Sequence, residues 1–384
     1  RGLRYERETG KAEFGGMRDV MPPSAAAQKA VGRGKNVANI HVVRHAGKLL
    51  ALWEAGKPTE ITADLQTVGE YNFGGALKGA FCAHPHFDAS TGEMFGFAYR
   101  PVPPFLTYYV VDAGGAMTVK EQIPVDYPVM MHDFAVSRDF AVFLYLPAVW
   151  DVQRAIRTGG PAMTWQPERG ARIGVLPRHG KGEDIRWFEM PVGWCFHIAN
   201  AFQRGPELVI DCVRTDTVDP DVATDDGSSV GSKLTRFTVD LEQGGVASEE
   251  RFMLERCVEF PKVAPHMETR EHRYVYMLGT DEGVERVKFS SFNHVVRFDH
   301  QTGTSDAFKV DDQGGDTTEF TYAANPESER EEDGWLMGYV YRKATQRSEL
   351  VIISAGDPAA GPVARVVLPQ RVPEGFHGSW MADR

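Results

Sequence analysis

One hairpin signal recurs along the chain and limits its fold more than any other feature: an apolar residue, Asp, a short spacer and Gly, set between short runs rich in Val, Phe and Tyr. It occurs at Phe87-Asp88 to Gly92, Val111-Asp112 to Gly115, Val239-Asp240 to Gly244 and Phe298-Asp299 to Gly303. The Asp side chain accepts from the turn backbone and Gly supplies positive φ, so each copy predicts an antiparallel hairpin. IHVVRH, FAVFLYL, LVIDCV, GYVYR and LVIIS have the same strand character. Hairpins repeated over 384 residues, with few segments of 3.6-residue period, predict an all-β propeller with blades of about four strands. Residues 24–30 and 150–156 are expected to form short helical turns, and residues 325–334 a solvated loop.

Composition removes several function classes. The net charge of -11, from 53 acidic against 42 basic residues, offers no field for a phosphate backbone, so nucleic acid is excluded as a partner. Four separated cysteines without a CxxC indicate neither a zinc knuckle nor a disulfide framework and suit a reducing compartment. The N-terminal residues lack an apolar signal core and no run of about 18 apolar residues occurs, so a cytoplasmic protein is expected, at most peripheral at a membrane.

Four of the twelve histidines lie among apolar residues at apparent strand ends: His84 in FCAHPHFD, His132 in VMMHDFAV, His197 in WCFHIANAF and His377 in GFHGSW. A charged ring there would be costly to desolvate, so neutral, engaged imidazoles are expected. Each alone also reads as a core histidine bonded to a carbonyl. Separations of 48, 65 and 180 residues match no local metal motif. A propeller brings remote strand ends to one axis, where four imidazoles from four blades could meet at one metal.

From Tyr5 to Trp380 the chain resembles the carotenoid cleavage oxygenases, through NVANIHVVRHAGKLLALWEAGKP, AHPHFDASTGEMFGFAY, MMHDFAVS, WQPERGARIGVLPRHG, DIRWF, FHIANAF and FHGSW in the family's order. The resemblance implies a seven-bladed propeller with a small helical cap over the iron-bearing face, residues 1–384 forming a single domain that lacks N-terminal blade strands upstream of Arg1. It implies non-haem Fe(2+) held by His84, His132, His197 and His377, with His86 a neighbour. Glu54, Glu259 and Glu319 would accept the distal N–H of ligand histidines, fixing their tautomers. The implied reaction cleaves a conjugated C=C bond with O2 into two carbonyls, the alkene supplying the electrons, and needs no other catalytic residue.

Two positions bear on the substrate. The stilbene and isoeugenol branch of the family carries Lys where this chain has Trp53, and a Tyr near Met17. Trp53 instead looks like the apocarotenoid and carotenoid branch and suits an apolar tunnel. Ile40 stands where many relatives have Thr, which would make the oxygen pocket drier. Ile40, Trp53 and Phe81 are expected to line the substrate and oxygen pocket. Residues 144–160 form a candidate apolar lip for membrane contact, with cap packing as the default, and residues 103–109 read as a packed strand. The alternatives are a stilbenoid or phenylpropanoid alkene, an O2-independent isomerohydrolase, and a non-catalytic propeller that only binds.

Overall fold

The computed structural model describes Thr9 and residues 36–384 apart from 161, 219–228, 246, 253, 285, 288–291, 311–316, 374 and 383–384. The helical turn expected at 24–30, and Met17, lie outside the described residues. Each Asp-to-Gly signal closes a hairpin. The carboxylates of Asp88, Asp112, Asp240 and Asp299 accept the N–H two residues on at 2.8–2.9 Å. Gly92, Gly115, Gly244 and Gly303 hold φ between 70° and 89°, a region only glycine enters without strain.

These hairpins build six four-stranded antiparallel sheets, over residues 41–70, 86–123, 135–190, 194–251, 258–309 and 321–367, which are the blades of an all-β propeller. In each blade the first strand lies at one edge of the sheet: His41–His45, His86–Asp88, Ala135–Val136, Trp194–Arg204, Val258–Lys262 and Thr321–Ala324. The first strand of the fourth blade lies against the first strands of the third and fifth. Between blades the core is aromatic. Phe134 stacks on Phe143 with centroids 5.6 Å apart and meets Phe97 at 5.0 Å, all fully buried. Each such ring contributes roughly 1.5–3 kcal/mol of burial energy.

The expected seven blades are six among the described residues. Of 28 strands, 24 form the six sheets and four form two separate ribbons, Ala148–Trp150 with Met163–Trp165 and Ser229–Val230 with Arg286–Val287. The count of seven came from the family resemblance, while the blades of about four strands that the hairpin pattern predicts are present in all six sheets.

The helical cap is likewise reduced. One short α-helix, Val152–Thr158, is described, capped by Asp151, whose side chain accepts from the Arg154 N–H at 2.8 Å, and by Gly159 at φ 69°. It sits at the tip of the Ala148–Met163 ribbon, so the cover near this face is mainly β-structure. The apolar lip expected over 144–160 is mostly interior. Leu144, Leu146, Ala148 and Val149 are buried, and Val152 and Ile156 are the exposed large apolar residues. Of residues 103–109, Leu106–Tyr109 belong to the buried strand Leu106–Val111, while Pro103 is exposed. Residues 325–333 form a loop, with Glu331 docked on the Arg273 and Tyr274 N–H groups at 2.7–3.0 Å. Among the described residues no helix is long and apolar enough to cross a membrane.

Candidate metal centre

The propeller brings the four selected histidines to one point from four places in the chain. His84 and His132 stand just before the first strands of the second and third blades, and His197 lies on the first strand of the fourth. His377 follows the sixth blade and returns to the first, where its N–H donates to the Ile40 carbonyl at 3.1 Å. Strand Trp194–Arg204 has register shifts on both sides of Ile198, and such bulges re-aim side chains beside functional sites.

One ligating atom from each of these histidines lies within 4.8 Å of the others. The Nε2 atoms of His84 and His132 are 3.0 Å apart. Two nitrogens bonded at right angles to one ion, with bonds of about 2.1 Å, stand about 3.0 Å apart, so this spacing fits a shared metal. The His197 Nδ1–H donates to Glu259 Oε2 at 2.7 Å and the His377 Nδ1–H to Glu319 Oε2 at 3.3 Å, while Glu54 lies in close ion-pair contact with His132 Nδ1. These contacts leave each Nε2 with its lone pair free. His197 Nε2 is buried without a hydrogen-bond partner, as a nitrogen reserved for a metal would be.

The electrostatics favour the neutral ring at His84 and His377. Burial, reinforced by His377, His132 and His197, pushes His84 well below the ordinary imidazole range. Burial also lowers His377, outweighing Glu319. Burial lowers His197, but Glu259, Asp133 and Glu319 together outweigh it and move it up. Burial opposes ionisation of Glu54 and Glu319, yet His132 with Tyr99 holds Glu54 low, and Lys262 with His377 holds Glu319 far lower.

The cluster separates two cavities of different character. One, of about 570 Å³, is walled mainly by apolar groups including Ile40, Trp53, Trp150, Phe196, Phe260 and Phe376, and reaches His132, His197 and His377. Trp150 and Met163, the pair at the helix-bearing end of the ribbon, close one side. The other, of about 270 Å³, is more polar and reaches His84, His197 and His377 together with Lys262, Glu268 and Glu319.

Ile40 and Trp53 therefore line the apolar cavity, but Phe81 does not. It is fully buried in the second blade, stacked on Tyr109 at 5.8 Å, in space left by Gly96, where a Cβ would meet its ring at 2.3 Å. Phe81 supports the blade rather than the pocket wall. His86 lines the polar cavity between Glu268, 2.5 Å away, and Asp133, 3.5 Å away, and these contacts override burial to raise it to about 10.

Sequence reasoning passed over several groups at the site. Tyr99 donates its hydroxyl to Glu54. Lys262 donates to Glu319 at 2.6 Å. His41 bridges the Ala83 carbonyl at 3.0 Å and Ser379 Oγ at 2.9 Å. Tyr99, His41 and Ser379 stand inside the family-like segments AHPHFDASTGEMFGFAY, NVANIHVVRHAG and FHGSW, which could have drawn attention to them, whereas Lys262 in VEFPK had no such signal. A second His and Asp cluster, Asp211 with His272 and His300, is a structural ion-pair network. Arg236 engages both Asp211 oxygens at 2.8 and 2.6 Å, supplying the positive charge that a metal would bring.

The sequence matches the profile of the retinal pigment epithelial membrane protein family over residues 1–382. The chain belongs to this family, the carotenoid cleavage oxygenases. Within the family it is 33% identical to an isoeugenol monooxygenase of Pseudomonas putida, covering 98% of this chain and 81% of that protein. It is 34% identical to a carotenoid 9,10(9',10')-cleavage dioxygenase of Arabidopsis thaliana, covering 91% of this chain and 67% of that protein. The fold superposes on cobalt-substituted apocarotenoid oxygenase of Synechocystis with TM-score 0.85 and 27% identity, covering all of this chain and 82% of that one. Lignostilbene dioxygenase of Pseudomonas brassicacearum gives TM-score 0.84 and 28% identity, covering 99% and 82%. A carotenoid cleavage oxygenase is a non-haem iron enzyme, and this chain is an oxygenase of that kind that cleaves a double bond oxidatively.

Proposed function

We propose that the chain cleaves a conjugated C=C bond of an apolar apocarotenoid or carotenoid-like substrate with O2, using Fe(2+) held by His84, His132, His197 and His377. The observation that carries this reading is the convergence of four imidazoles, His197 among them with an orphaned buried Nε2, at the wall of a cavity of about 570 Å³. Buried imidazole suits a first-row divalent ion. Iron bound there supplies a reduced centre at which dioxygen and the alkene can meet.

The protein's own groups do the rest. Glu54, Glu259 and Glu319 orient the rings and raise their basicity. Trp53, Phe260 and Phe376 offer flat apolar surface to a polyene, and Ile40 keeps the wall free of a hydroxyl that would hold water. The chemistry balances without another reductant: one alkene and one O2 give two carbonyl products, each carbon of the broken double bond taking one oxygen atom.

A second reading, a phenylpropanoid or stilbenoid alkene, rests on the similarity to isoeugenol monooxygenase. The wall of the apolar cavity works against it. Trp53 stands there, and among the described residues that line it there is no lysine to hold a phenolate. Incubating iron-loaded protein aerobically with an apocarotenal and with a hydroxystilbene tests the choice. Aldehyde from the apocarotenal is expected. Aldehyde from the stilbene alone moves the assignment to the second reading, and turnover persisting without O2 selects an isomerohydrolase.

A further inference from the structure

Glu259 and Lys262 share the first strand of the fifth blade, Val258–Lys262, three residues apart. Side chains alternate along a regular strand, so residues three apart face opposite sides. Here they reach the same centre. The pairing with the neighbouring strand runs Glu259 to Leu278 and then Lys262 to Tyr276, one residue longer on this side, and Phe260 takes φ 53°, in the left-handed region non-glycine residues rarely adopt. The bulge reverses the alternation. Glu259 then meets His197 at 2.7 Å, while Lys262 meets Glu319, the acceptor of His377, at 2.6 Å.

This arrangement fixes a charge. The three glutamates paired with the imidazoles carry three negative charges, and the imidazoles are neutral when they bind a metal. Lys262 is the one Lys or Arg among the described residues lining either cavity. Its ammonium cancels one carboxylate, which leaves a shell of two negative charges against a divalent ion. Asp133 and Glu268 occupy the same polar cavity but are bonded to His86 rather than to any of the four histidines. The Lys262 side chain is 19% exposed and that of Glu319 8%, so solvent screens the pair weakly.

We propose that Lys262 is a positioning residue that matches the charge of the shell to Fe(II) and so holds the iron ferrous. The inference rests on the reading that these four histidines bind iron. Without the ammonium the shell carries one more negative charge, which stabilises Fe(III) relative to Fe(II). The same lysine also draws Glu319 away from His377, whose hydrogen bond at 3.3 Å is longer than the 2.7 Å between His197 and Glu259.

Anaerobic potentiometric titration of the iron-loaded protein, following the ferric signal by electron paramagnetic resonance, tests this. Lys262→Met is expected to shift the midpoint potential negative and to oxidise faster in air, whereas Lys262→Arg keeps the wild-type value. Glu319→Gln alone should shift it positive, and Lys262→Met with Glu319→Gln should return it toward wild type. An unchanged potential in iron-loaded Lys262→Met overturns the proposal. If that variant does not fold, a negative shift or no shift in Glu319→Gln does so instead. Wild-type protein that takes up no iron refutes the metal assignment itself, a separate outcome from an iron-loaded variant whose potential does not move.

Discussion

The backbone N–H of His377 donates to the carbonyl of Ile40 at 3.1 Å, tying the chain after its last blade to the start of its first. Ser379 Oγ donates to the Val42 carbonyl at 2.6 Å and Arg44 to the Ala382 carbonyl at 3.0 Å, so the tail runs along strand His41–His45. The last of the four imidazoles is therefore delivered by a seam between blades rather than by a blade. Deleting residues 375–384 should abolish metal uptake and lower the thermal midpoint, while His377→Ala should weaken metal binding and keep the midpoint of the metal-free protein. Calorimetry of the metal-free proteins separates the two, and equal midpoints in both variants would show that the tail holds nothing together.

Gly56 seats the indole of Trp53. A Cβ at position 56 would lie 2.0 Å from Trp53 Nε1 and 2.7 Å from Cε2, and Gly56 has no left-handed φ that would itself resist alanine. Gly56→Ala should push the indole into the apolar cavity and lower kcat/KM for a polyene about ten- to two-hundredfold, the range of one misplaced methylene in an apolar pocket. In a Trp53→Ala background the same change should have little effect. A loss of the same size in both backgrounds would locate the damage elsewhere.

The glutamates should differ from ordinary surface carboxylates in what their loss does. Glu259→Gln leaves His197 with a weaker acceptor and should cut metal affinity about 10–100-fold. Competition with a chelator for Co(II) reads this directly. Glu93→Gln, at a blade turn away from the cluster, is the control, and equal loss in both would remove the special role of Glu259.

Acid should unfold the metal-free protein through its buried histidines. Burial, then His377, pushes His41 down from 6.5 to about 4. The folded state favours the neutral ring, so this contribution is complete above pH 6.5 and fades as pH falls toward 4. Urea midpoints of metal-free protein should decline across that window, and less steeply in His41→Gln. A flat profile, or the same slope in the variant, contradicts the assignment.

The residues that strand and turn chemistry control were legible in advance. Each Asp-to-Gly signal marked a real hairpin because carboxylate-to-backbone bonds and positive φ are local properties. The four histidines stood out through their apolar flanks and the family motifs, although only the ring of blades makes positions as remote as 84 and 377 neighbours. Lys262 was not legible in its role, since a strand read by alternation sends it away from Glu259 and only the bulge turns it back. Phe81 sits close to His84 in sequence but in the blade interior, in the space that Gly96 leaves. The pattern's blades of about four strands are what the described sheets show, whereas the count of seven came with the family resemblance and no strand run in this sequence carried it.

Metal content tests the central claim most directly. Protein purified anaerobically after growth with iron should contain about one iron per chain, and each of His84→Ala, His132→Ala, His197→Ala and His377→Ala should sharply reduce it while remaining folded. Folded wild-type protein that binds no metal when offered Fe(II), or a His197→Ala variant that retains full iron, would contradict the account.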